Sequence, residues 1–207
     1  MERMFKIRAS QANTIMGNGK GGKLPVTCTS YLKKWYANDA DVELNTKEIN
    51  KGNLVEDDTI DMCARVLGFG ILSKNEQYSE NEYFTGTADV VTEDYIIDVK
   101  SPYCNRTFHN CINEENEAYK TQLQVYMHLY GKSKAILFYG LLDTPATEWS
   151  DTVIYSHIPE NERWHAIEYA YDAEFINALQ KHVNECRAWI TEYDLLLKSK
   201  LGKLRKI

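Results

Sequence analysis

Two rhythms of apolar residues run along the chain, one near 3.6 residues and one near two, and they divide it into helices and strands. The opening FKIRASQANTIMG reads as a short lead-in and a helix with Ser10 at its N-cap, ended by the glycine-rich GNGKGGKL. A second helix is expected over 30–40 and a third over 45–67, the latter opened by a capping box of Asn45 and Glu48. In the third, Ile49, Glu56, Ile60, Cys63 and Leu67 share one stripe, which turns the carboxylate of Glu56 inward. Gly52, one turn earlier, leaves room for another backbone. Alternation from Ile71 to Tyr78 predicts a strand, and GTADVVTEDYIIDVKS (86–101) predicts a hairpin. A helix follows over 114–130, then strands over 134–142 and 152–158, then a long helix over 164–198.

In that last helix Ile176, Leu179, Val183, Cys186, Ile190, Tyr193 and Leu197 form a heptad-like stripe. It suits packing on the domain's own sheet, or alternatively a subunit interface. The element order predicts an α/β (α+β) fold with a central mixed sheet flanked by helices. A single domain over 1–207 is expected, with a helical part to about 68, a sheet core over about 69–160 and a C-terminal long helix over about 161–200.

Composition narrows the classes. The 207 residues are 43% hydrophobic and 26% charged, enough for one buried core. The longest apolar run, AILFYGLL (135–142), is too short to span a bilayer, and MERMFKIRAS has no signal-like apolar core. A cytoplasmic protein without a membrane partner is expected. Five cysteines with no CxxC pair argue against a disulfide framework or a zinc site. GNGKGGKL approaches a phosphate loop, but Leu24 stands where a metal-binding hydroxyl belongs and no apolar strand precedes it. The net charge of −6 is unevenly spread. Arg3, Lys6, Arg8, Lys20, Lys23, Lys33 and Lys34 face only Glu2 near the start, and Lys198, Lys200, Lys203, Arg205 and Lys206 crowd the end. Such ends meet phosphate, or stay solvated.

The hairpin carries the chemistry. With Glu93 and Asp94 as a two-residue turn, partner numbers sum to 187. Asp89 then lies opposite Asp98 and Thr87 opposite Lys100, with Asp98 and Lys100 on one face. Like charges across a ladder are destabilising, so something must neutralise them. A divalent metal does so, and Mg²⁺ prefers carboxylate oxygens. Lys100 then holds or deprotonates a water, or steadies charge on a phosphate. The alternative is a salt-bridged surface hairpin in which Lys100 pairs Asp98. Glu56 likewise needs a partner, either a lysine or arginine or a metal shared with the two aspartates. Gln122 and Tyr126 share a helical face, from which a glutamine can position water or phosphate without adding charge.

These residues form a known pattern. Asp89 followed by Asp98-Val99-Lys100 resembles the core of the PD-(D/E)XK nucleases. Glu56 before it and Gln122-x-x-x-Tyr126 after it resemble the RecB-type branch. IRASQANTIM, KGNLVEDD, GTADVV, YIIDVKSP and AYKTQLQVYM together resemble the lambda exonuclease, or YqaJ-like, recombinase family over residues 7–130. TADV stands where that family commonly has S-P-D-G, and the C-terminal third carries no motif.

The resemblance implies a restriction-endonuclease-like core. Asp89, Asp98 and the Val99 carbonyl would ligate Mg²⁺ (with Mn²⁺ able to substitute), and Glu56 would bind a metal directly or through water. Lys100 would orient the attacking water and Gln122 support it. Ser10, with Arg3, Arg8, Thr87 and Tyr126, would contact DNA, the first four around its 5′-phosphate. The implied activity is a deoxyribonuclease digesting linear double-stranded DNA from the 5′ end, leaving 3′ tails for phage-type recombination. The implied partners are a single-strand annealing protein and further copies of the chain in a trimeric ring. An endonuclease or single-strand nuclease of the same superfamily, and a non-catalytic DNA-binding module on the same fold, are the competing readings.

Overall fold

The computed structural model describes residues 3–17, 19–38, 46–146 and 151–201. Asn45, Lys203, Arg205 and Lys206, to which the sequence reading gave roles, lie outside them. In chain order the elements are β1 (Ile7–Arg8), a 3₁₀ helix (Ala9–Ile15), a 3₁₀ turn (Lys20–Gly22), α1 (Val26–Ala37), α2 (Lys47–Leu54), α3 (Glu56–Leu67), β2 (Ser79–Glu80), β3 (Phe84–Gly86), β4 (Val90–Val91), β5 (Tyr95–Lys100), α4 (Asn105–Asn113), α5 (Glu117–Tyr130), β6 (Lys134–Gly140), a 3₁₀ turn (Glu160–Glu162), β7 (Trp164–Ala170) and α6 (Ala173–Lys200).

The fold is mixed α/β with two mixed sheets rather than one. Four strands run β4-β5-β6-β7 and three run β1-β3-β2. In the larger sheet β5 and β6 are parallel, while β4–β5 and β6–β7 are antiparallel. Strand β5 reads YIIDVK, and its alternate residues face opposite layers. Ile97 and Val99 pack with Ile60, Met62 and Cys63 of α3. Ile96 lies in the core cluster that also holds Leu123 and Met127 of α5 and Leu179 and Val183 of α6. Helices therefore cover both faces of β5, and Asp98, on the same side as Ile96, is carried into the α5 layer.

Several local readings give way to tertiary context. Ser10 is not an N-cap, because the segment winds as a 3₁₀ helix preceded by Arg8. Ala9, Ala12 and Ile15 are its buried residues, a period of three that suits 3₁₀ geometry and turns Ser10 outward. The helix expected over 45–67 breaks at Val55 (φ −114°, ψ 14°), so Glu56 begins a new helix. The stripe breaks with it, since Ile49 is exposed. A Cβ at Gly52 would meet nothing within 4 Å, so no backbone closes on it.

No strand forms over 71–78, where Ile71 is 95% exposed. Over 152–158 only a bridge between Thr144 and Val153 forms. There Asp143 Oδ1 accepts from the N–H groups of Tyr155 (2.5 Å) and Ser156 (2.9 Å), replacing a ladder. Trp164–Ala170, read as helix, is instead β7 on the antiparallel edge of β6. The final helix starts only after Asp172, whose Oδ1 accepts from Phe175 N at 2.9 Å. Ile176, Leu179, Val183 and Cys186 of its stripe pack in the chain's own core.

The close approach of β3 to α5 sets the distance between the two sheets' helical support. A Cβ at Gly86 would lie 2.7 Å from Tyr126 Cε1 and 3.2 Å from Ala9 Cβ. Gly86→Ala is expected to lower stability by roughly 1–3 kcal/mol through overpacking, measured by urea denaturation. An unchanged midpoint would mean that the Tyr126 ring yields freely.

Candidate active site

The hairpin has the register expected from its turn. Val90 pairs Ile97 and Val91 pairs Ile96, both sums of 187. Thr92 N donates to Tyr95 O at 2.9 Å and Tyr95 N to Thr92 Oγ1 at 2.9 Å, closing the turn. Beyond Val90 the backbone ladder ends, and a side chain continues it: Val99 N donates to Asp89 Oδ2 at 2.9 Å. That bond aims the Asp89 carboxylate at the end of β5, beside Asp98 and Lys100.

Asp98 has no exposed surface. Its Oδ1 accepts from Gln122 Nε2 at 3.2 Å, and the same nitrogen lies 3.1 Å from Tyr126 Oη. Its Oδ2 sits 2.5 Å from Lys100 Nζ, an ion-pair contact, yet no well-directed hydrogen bond reaches that oxygen. Lys100 Nζ is also 4.0 Å from Asp89 Oδ2 and 3.3 Å from the Val99 carbonyl. The Tyr119 ring, one turn before Gln122 on α5, lies 5.2 Å from the same ammonium. Tyr119 was not singled out from the sequence, although its spacing of three from Gln122 places it on the same helical face.

Electrostatics follow from this crowding. Burial, and next the charge of Asp98, push the Asp89 carboxyl up to about 7, against the opposing pull of Lys100 and the Val99 N–H. Burial works against the Lys100 ammonium, but Asp98 and Asp89 outweigh it and hold its pKa above the usual lysine value. Lys100 is thus a firmly charged donor.

Glu56 reaches the same cavity, of about 490 Å³, whose wall also includes Asp89, Val99, Lys100 and Tyr119. There its carboxylate takes the lysine partner allowed for it, Lys74, at 2.5 Å. Among the described residues no three His, Cys, Asp or Glu side chains converge on one metal position. The donors that do converge are two carboxylates and a backbone carbonyl. These are hard oxygen ligands, and one of them, Asp98 Oδ2, is buried without a directed hydrogen bond. That set suits Mg²⁺, and a cation there would relieve the repulsion that raises Asp89.

Two supporting residues escaped sequence reading. Asn75 N donates to Asp89 O at 2.7 Å, and Asn75 Nδ2 donates to Ala88 O at 2.9 Å. The loop read as a strand is therefore what fixes the backbone under Asp89. Lys51 of α2 is 2% exposed and donates to the carbonyls of Pro102 (2.9 Å), Tyr103 (3.2 Å) and Leu142 (2.7 Å). It ties α2 to the chain leaving both β5 and β6. No local pattern marks either residue, because their partners are distant in sequence.

The four candidates for a terminal phosphate lie near the β1–β3 pair and the end of α1. Ser10 and Thr87 are exposed, whereas Arg3 and Arg8 line another cleft from which Ser10 and Thr87 are missing. Arg3 is held at the end of α1, where its Nη1 reaches Asn38 Oδ1 at 2.5 Å and its guanidinium lies 4.7 Å from the Trp35 ring.

No protein-family model and no curated protein matches the chain. Solved structures do. A phage-related exonuclease from Haemophilus somnus 129PT superposes with a TM-score of 0.80 at 24% identity, over 94% of this chain and 97% of that one. An alkaline exonuclease, LHK-Exo, from Laribacter hongkongensis superposes with a TM-score of 0.70 at 15% identity, over 98% and 96%. The same enzyme in complex with dAMP gives 0.68 at 16% identity, over 97% and 95%. The fold is therefore that of these exonuclease structures. Among the described residues no helix is long and apolar enough to cross a membrane.

Lys51 yields a pH prediction. Burial lowers its pKa from 10.5 to about 8. Between those values the unfolded chain holds a proton that the folded chain has released, so this residue's contribution to stability rises with pH across the window. The stability of wild type minus that of Lys51→Met is expected to be greater at pH 9.5 than at pH 7 by on the order of 1–2 kcal/mol in urea denaturation. A difference independent of pH would show that Lys51 is not desolvated.

Proposed function

We propose that the chain is a metal-dependent deoxyribonuclease of the lambda exonuclease, or YqaJ-like, branch of the PD-(D/E)XK nucleases. It hydrolyses linear double-stranded DNA from the 5′ end and leaves 3′ tails. The observation that carries this reading is the convergence of Asp89, Asp98, Lys100 and Gln122 at the end of β5. It occurs in a fold shared with two exonuclease structures over more than nine-tenths of the chain.

Asp89, Asp98 and the Val99 carbonyl would hold Mg²⁺, with Mn²⁺ as a substitute, and Glu56 would join once released from Lys74. Held there, the ion would supply positive charge at the scissile phosphate and acidify a water. Lys100, an ammonium beside two carboxylates, would orient the attacking water and offset charge on the phosphate. Gln122 fixes Asp98 and is fixed in turn against Tyr126. Ser10 and Thr87 contact the 5′-phosphate. By the same resemblance the partners are an annealing protein and two further copies of the chain in a ring. The setting is the cytoplasm, that of the host if the chain is phage-encoded.

Digestion of end-labelled linear duplex with Mg²⁺ tests the reading. Wild type is expected to remove the 5′ strand and to spare covalently closed circles. Asp98→Ala and Lys100→Ala are expected to lose at least 100-fold in rate, on the order of one electrostatic contact in the transition state. Variants as active as wild type would remove the site, and cut circles would make the protein an endonuclease. Removing the 5′-phosphate is expected to slow wild type but barely to change Ser10→Ala. If Ser10→Ala stays as phosphate-dependent as wild type, Ser10 has no part in that contact.

A further inference from the structure

Lys6, just before β1, and Arg8 on it are two positions apart in sequence, so in extended backbone their side chains leave the same side, about 7 Å apart. Thr85 of β3, the register partner of Arg8, stands beside them. Arg3, Lys34, Trp35 and Tyr78 complete a cleft of about 350 Å³. It shares no lining residue with the carboxylate cavity.

The balance of charge in this cleft is one-sided. Four cationic side chains line it and, among the described residues, no carboxylate does, in a chain whose net charge is −6. Lys6 has an acidic neighbour outside the lining, Glu80, at 3.2 Å. Arg3 is held by neutral groups, the Asn38 amide and the Trp35 carbonyl and ring. Arg8 and Lys34 are exposed and take no carboxylate partner among the described residues. Arg3, Arg8 and Lys34, without a carboxylate partner among the described residues, with Lys6, polar Thr85 and aromatic rings between them, make a site for a row of anions.

We infer that this cleft binds backbone phosphates of a nucleic-acid strand at a distance from the bond to be cut. The inference rests on the DNA substrate proposed above and adds a second contact region to it. The alternate placement of Lys6 and Arg8 along an extended strand suits successive phosphates rather than one terminal group. Of the four residues first assigned to the terminal phosphate, Arg3 and Arg8 line the cleft, whereas Ser10 and Thr87 do not. The cleft therefore sets affinity and register on the DNA and leaves the chemistry to the carboxylate cavity.

Binding measured without turnover tests this. Wild type, Arg8→Gln, Lys34→Gln and the double variant are titrated in EDTA against a fluorescent oligonucleotide, single-stranded or duplex, with and without a 5′-phosphate, over a range of salt. Each single change is expected to lower the slope of log affinity against log salt by about 0.9 on the duplex or about 0.7 on the single strand, and the double change by about twice that. Whichever oligonucleotide responds identifies the strand that occupies the cleft. The loss should be the same with and without the 5′-phosphate. A loss confined to phosphorylated ends would make this the terminal-phosphate pocket and overturn the inference. Unchanged slopes with intact binding would overturn it while leaving the nuclease reading in place. Absence of binding by wild type to either oligonucleotide would remove both.

Discussion

A carboxylate with no access to water is the constraint around which this structure is arranged. Asp98 lies in the middle of the larger sheet, between β4 and β6 and under α5. Burying such a charge is expensive unless it is paired and hydrogen-bonded. Lys100 supplies the pair, Gln122 the hydrogen bond, and Asp89 adds a second negative charge that partly undoes the balance. A protein selected only for stability would fill that position with an apolar residue. Two carboxylates and an ammonium stand there instead.

Support for this cluster comes from segments that contribute no reacting group. Asn75 holds the backbone on either side of the Ala88–Asp89 bond, where the β4 ladder stops. Lys51 gathers three carbonyls from the segments that leave β5 and β6, and Thr59 Oγ1 lies 2.6 Å from Ser101 Oγ next to Lys100. The C-terminal ends of the two parallel strands are thus tied to α2 and α3. This keeps the cavity wall rigid where β5 releases its chain. Glu56, at the start of α3, belongs to the same wall, and Lys74 neutralises it one residue before Asn75. One short loop therefore steadies both acidic flanks of the site.

Local chemistry in the sequence was enough for some of this. The two-residue turn and the alternation of YIIDVK determined the register of the hairpin and which face Asp98 shares with Lys100. The four-residue spacing of Gln122 and Tyr126 placed both on one helical face. The reading failed where two patterns compete over a short stretch. WHAIEYA alternates as well as it turns, and it became strand because β6 offered an open edge. ILSKNEQY alternates too, but no sheet edge received it. ASQANTI carries a period of three, which a reading tuned to 3.6 takes for an α-helix.

By itself the sequence determined the mixed α/β class, the hairpin and the residue types for carboxylate–lysine chemistry, because each follows from contacts within a few residues or one turn. Only the tertiary structure decided that Lys51 and Asn75 brace the site. It also decided that Glu56 opens a helix facing Lys74, and that Arg3 and Arg8 line one cleft with Lys6 and Lys34. Those outcomes depend on which distant segment satisfies a buried donor, ammonium or carboxylate, and a local pattern carries no record of that partner.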